Sequence, residues 1–333
     1  MSLEQIRDRM LAERPVPSTM SPGWASMENA QSNLGTINTA PPVSDPVILE
    51  ANDELPRMLQ ARFYFWATPP TGVSDQPGLD PRTVRRLDAV DVVITDLANS
   101  SVAILVSSRN RTLLHRRDGV VARLQKIFQS DDASTKIDRW NSPLQLRDPD
   151  IFLWLTVQQR DQDQIAPDLT LDQVSGISGR DASARTADLR AGVDFSRPNF
   201  LTAVAEADTL GPIDISFIQA VGDARRSFAL KLYVDGGFVL QSNDIYLPDV
   251  MATDEKMLFS TLLLAYELVP RINSLYVADA EHWETRRLEV IEAAMDDLQE
   301  RYRNAKEALR ERALASPRLP VREEDDDETP LGD

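Results

Sequence analysis

A chain of 333 residues with 42% hydrophobic and 27% charged side chains carries material for about two packed cores, which excludes a collagenous chain or one disordered throughout. Fifty-three acids against 36 bases leave a net charge of −17, so general attraction to phosphate backbones or anionic lipid is disfavoured. There is no cysteine, which removes disulfides, cysteine–zinc sites, iron–sulfur clusters and cysteine nucleophiles from consideration.

In chain order, residues 1–56 read as a flexible Pro-rich arm that opens with a short helix, Leu3 to Glu13. Pro15, Pro17, Pro22, Pro41, Pro42, Pro46 and Pro56 remove backbone donors and fix φ along it. Residues 57–157 read as an α+β domain. Phe63-Tyr64-Phe65-Trp66 predicts a strand and Thr83 to Leu87 a short helix, while Val90 to Leu97 and Val102 to Ser107 predict an antiparallel hairpin. Asp118 is placed to N-cap a helix over Gly119 to Gln129, and Ile151 to Val157 reads as an apolar strand.

Residues 158–199 are poor in apolar side chains and read as a polar loop or linker, with Leu169 to Val174 as a helical piece. Residues 200–278 form a second α+β portion: a helix near Phe200 to Ala207, then a strand Ile213 to Ala220. A hairpin of Ser227 to Val234 and Phe238 to Ser242 turns at Gly236-Gly237, and a buried helix, Glu255 to Val269, is stopped by Pro270. A long helix covers 279–316, and 317–333 forms an acidic disordered tail around Glu323 to Glu328. The expected class is α+β, antiparallel hairpins packed with helices, with disordered termini.

Catalytic signals are scarce. No Gly-x-Ser-x-Gly elbow occurs, and His115 and His282 read as surface residues. Asp279, Glu281, His282 and Glu284 diverge around a helix, so no metal site is expected, and no cofactor. Gly176-Ile177-Ser178-Gly179-Arg180 lacks the Lys-Ser/Thr of a phosphate loop. The layout of Asp150 before Gln158 and Arg160 lacks the second acid and lysine of a metal-dependent nuclease.

Two segments point to partners. Arg109, Arg111, Arg116, Arg117, Arg123 and Lys126 stand against Asp118 alone, a local +5 suited to phosphate. Leu288, Ile291, Met295, Leu298, Tyr302, Ala305 and Leu309 recur at intervals of three and four, a heptad seam for a partner helix or for the chain's own domain. The apolar run Met257 to Val269 is too short to span a bilayer, so no membrane is expected, and a cytoplasmic location or one within a phage particle is. The expected function is a non-catalytic structural or adaptor subunit of a bacterial or phage assembly, associating with itself or with other protein subunits. The alternative is nucleic-acid binding through 109–126, in DNA handling or defence, and a metal-dependent enzyme comes third.

Overall fold

The computed structural model describes residues 1–16, 18–25, 45–67, 86–97, 101–138, 142, 144–146, 148–180, 186–190, 198–205, 209–248 and 253–315. The fold is α+β, with two antiparallel sheets. The first contains β1 (Val47–Leu49), β2 (Met58–Ala67), β3 (Arg86–Asp96) and β4 (Val102–Val106) in that order. The second runs β10 (Phe238–Leu240), β9 (Ala224–Leu232), β8 (Thr209–Val221), β6 (Leu169–Arg180) and β5 (Gln164–Ala166), with β7 (Thr186–Arg190) also on β6.

The N-terminal segment is not an arm where it is described. Helix α1 (Leu3–Ala12) closes its first turn with a capping box between Ser2 and Gln5. Its spacing places Leu3, Ile6 and Met10 on one face, fully buried against Leu59 and Phe63 of β2 and against α3 (Val120–Gln129). Trp24 completes this core, its ring 4.8 Å from that of Phe63. Gly23 exchanges backbone hydrogen bonds with Tyr64 at 2.8 and 3.1 Å and lies so close to Pro15 that a side chain there would collide with backbone. Proline density signals irregular backbone, and irregular backbone packs well when its flanks are apolar.

Arg57 ties α1 to the start of β2 by pairing with Glu4, and its hydrogen bond holds the Glu4 carboxyl down from the ordinary 4.5 to about 2. A carboxyl lowered in the folded state stabilises the fold above pH 4.5 and loses that contribution as the pH falls toward about 2. Arg57→Met should therefore flatten the dependence of stability on pH across that window, as read by acid titration of tryptophan fluorescence.

Several elements differ from expectation. Arg86 and Leu87 lie in β3, not in a helix; residues 83–85 fall outside the described residues. A short helix, α2 (Arg111–His115), precedes α3. Asp118 does not cap α3: Gly119 takes the N-cap position, in contact with Leu113 backbone, and Asp118 bonds Arg123 at 3.3 Å. The run Ile151–Val157 is helical, the first two turns of α4 (Ile151–Asp161), and all seven of these side chains are buried. An apolar run buried on every side carries no period, so strand and helix look alike in it.

The stretch 158–199 is not a linker where it is described. It completes α4 and supplies β5, β6 and β7, with Leu169–Val174 in β6 and not in a helix. α4 belongs to the second core, with Leu146, Phe217 and Leu268, so the two cores divide before α4, not after it. The first sheet's other face, at Met58 and Val93, meets Leu262 and Tyr266 of the second half. α5 (Pro198–Ala205), β8 and the β9–β10 hairpin fall close to their expected places.

Pro270 does not end its helix. α6 (Thr253–Leu263) widens into a π turn, Leu264–Leu268, and continues as α7 (Val269–Ala278) with Pro270 in the first turn of α7. The π turn relaxes the ladder where the proline lacks an N–H and its ring crowds the preceding turn. α8 (Ala280–Ala315) then runs as one helix, packed on α5 and α7. Among the described residues, no helix is long and apolar enough to cross a membrane. The tail 317–333, including Glu323–Glu328, lies outside the described residues.

Candidate functional site

Of the seam residues, the structure uses only part to hold α8 to its own domain. Trp283 and Ala294 are buried, and Val290, Ile291 and Leu298 pack partly against the second core. Leu288, Met295, Tyr302 and Leu309 point away, with 59%, 50%, 67% and 65% of their surface exposed. After Leu298 every described side chain of α8 is exposed, so the helix runs about 25 Å beyond its last packed residue. The seam is thus two faces, an inner one carrying Ile291 and Leu298 and an outer one repeating every seventh residue.

Three of the six bases of 109–126 are paired with carboxylates of the chain itself. Arg109 makes a two-pronged bond to Asp235 at 3.0 and 3.1 Å and lies 3.7 Å over the Tyr233 ring, joining the first half of the molecule to the β9–β10 turn. Arg123 pairs with Asp118, and Lys126 with Glu13 at 3.2 Å. Arg116 lies over Phe65 with its Nε buried. Arg111, Arg116 and Arg117 have neither an ion pair nor a side-chain hydrogen bond among the described residues, and of these Arg111 and Arg117 are exposed. The excess acid of the chain offsets part of this charge through Glu13 and Asp235, residues too distant in sequence to be counted against it.

Two clefts were missed. One, of about 540 Å³, lies where α7 meets α8. There the Tyr276 hydroxyl donates to Asp148 at 2.5 Å, and burial together with that carboxylate raises its pKa above the usual tyrosine value. Burial likewise raises Asp150, against the pull of Arg287, whose Nε lies 2.5 Å from the carboxylate without aligning its N–H on it. Asp279 accepts from Trp154 Nε1 at 2.8 Å. Through these contacts the three acids link α4, α7 and α8. The pair of acids around Pro149, ahead of an apolar run, was the available signal.

The second cleft, of about 390 Å³, joins Glu54 to Arg226 at 2.8 Å and Gln219 to Glu267 at 2.6 Å. Beside it Asp168 pairs with Arg271, whose hydrogen bond lowers the Asp168 pKa. Its partners come from four separate elements, so no local spacing announces it. Among the described residues no group of three or more His, Asp or Glu side chains converges as metal ligands would.

These features define an α+β chain with an outward apolar helix face and with internal ion pairs lining its clefts. No known protein family matches the chain. No curated protein is significantly similar to it in sequence.

Proposed function

We propose that this chain is a non-catalytic structural or adaptor subunit of a bacterial or phage assembly, joined to other subunits through the outer face of α8. One observation carries the reading: Leu288, Met295, Tyr302 and Leu309 stay exposed on a helix that outruns its own domain. A projecting helix gains its stability from an apolar face that packs, and this one lacks an intramolecular partner beyond Leu298 among the described residues. Large apolar side chains aligned on one exposed face mark a contact surface. A location in the cytoplasm, or within a phage particle, goes with this reading.

Tagged chain purified from its own source should have a particle mass well above 37.3 kDa, and Tyr302→Glu with Leu309→Glu should reduce it to that value. Both positions are exposed, so the fold itself is not at risk. A source-purified chain of one-subunit mass, or a large particle indifferent to the substitutions, would overturn the proposal. Copurified nucleic acid whose binding falls steeply with salt and requires Arg111 and Arg117 would favour the nucleic-acid reading instead.

A further inference from the structure

We infer that the outer face of α8 pairs with α8 of a second copy of this chain, antiparallel about a two-fold axis near Leu298 and Gln299. The inference rests on the subunit reading above and names its partner. Four of the exposed apolar residues of α8 are seven apart, so one antiparallel register superposes these four: Leu288 meets Leu309 of the second copy, and Met295 meets Tyr302. The same register lays the unpacked half of each helix along the domain-anchored half of the other. The stripe spans about 31 Å, and the two bodies sit at opposite ends of it.

Charge selects this direction. Up to Leu298, α8 carries six acids against Arg286 and Arg287, and both arginines are already held by the body, at Asp161 and Asp150. From Gln299 to Ala315 three acids face five bases. Beside the apolar stripe the antiparallel register brings Glu289 to Arg310, Glu292 to Lys306 and Asp296 to Arg303, each pair repeated by the symmetry. All six are exposed, and among the described residues the one ion pair that competes is a surface contact of Arg303 with Glu300 at 3.7 Å. A parallel pair would instead lay the acidic half of each helix along the acidic half of the other, and the basic half along the basic half.

The chain has no cysteine, so single cysteines report direction without background. Purified recombinant chain should reach twice 37.3 kDa as concentration rises. Mixed Leu288→Cys and Leu309→Cys chains should form a disulfide-linked pair, while neither variant alone does. Glu289→Arg with Glu292→Lys and Asp296→Arg should weaken self-association about tenfold or more. Mixing that chain with one carrying Arg303→Asp, Lys306→Glu and Arg310→Glu should restore pairing. Linkage of Leu309→Cys to itself overturns the antiparallel register. A recombinant chain of 37.3 kDa at every concentration overturns self-pairing, and the subunit reading then stands or falls separately on the source-purified particle.

Discussion

Phe152→Ala should destabilise the protein by about 3–5 kcal/mol, the range for emptying a fully buried aromatic site. Phe152 sits in the first turn of α4 within the larger core, and its ring closes directly over Gly211 of β8. A Cβ at Gly211 would lie 2.4 Å from that ring, and the backbone there has φ +116°, a conformation open to glycine. Gly211→Ala should thus cost about 2–4 kcal/mol through overpacking plus backbone strain. In the Phe152→Ala background the collision is gone and only the strain persists, so the second substitution should cost about 1–2 kcal/mol less than in the wild type. Chemical denaturation of the four proteins checks this. Additive losses would show that the ring does not bear on Gly211.

The helix at Phe152 was illegible for a reason that recurs in this chain. Sequence pattern reports which side chains face a core only when one face is wet. β8, the β9–β10 hairpin and α8 each keep a less buried side, and their places could be read. α4 buries Ile151 through Val157 completely, leaving nothing polar to mark a turn. β6 failed in a subtler way. Its buried residues Leu169, Leu171, Val174 and Ile177 are spaced by two, three and three, and the pairing with β8 shifts register between Leu171 and Gln173, between Val174 and Gly176, and between Ile177 and Gly179. Each irregularity offsets the alternation of the strand, so the apolar spacing imitates a helix. For the candidate site, the heptad positions were all present in the sequence. Which of them the domain would claim depended on α5 and α7, which lie far away along the chain. The pairing of Arg109 and Lys126 was out of reach for the same reason, since Asp235 and Glu13 lie far from them along the chain.

That division of the seam sets up the second large effect. Ile291→Asp with Leu298→Asp reads from the heptad alone as a change that dissolves an assembly and spares the fold. The structure places both side chains against the second core, beside buried Trp283 and Ala294, so each aspartate puts a charge where an apolar group packed. The double variant should lose about 3–5 kcal/mol of stability, in the range of large core lesions, with its denaturation midpoint falling accordingly. Tyr302→Glu with Leu309→Glu changes the same number of seam residues in the same helix. Both lie beyond Leu298, where every described side chain of the helix is exposed, so the stability of the chain at concentrations below pairing should move by less than about 0.5 kcal/mol. The contrast separates the helix into a half that folds the domain and a half that meets a partner. Equal losses from the two double variants would mean that the projecting half packs on its own body, and the outer face would then have no second copy to bind.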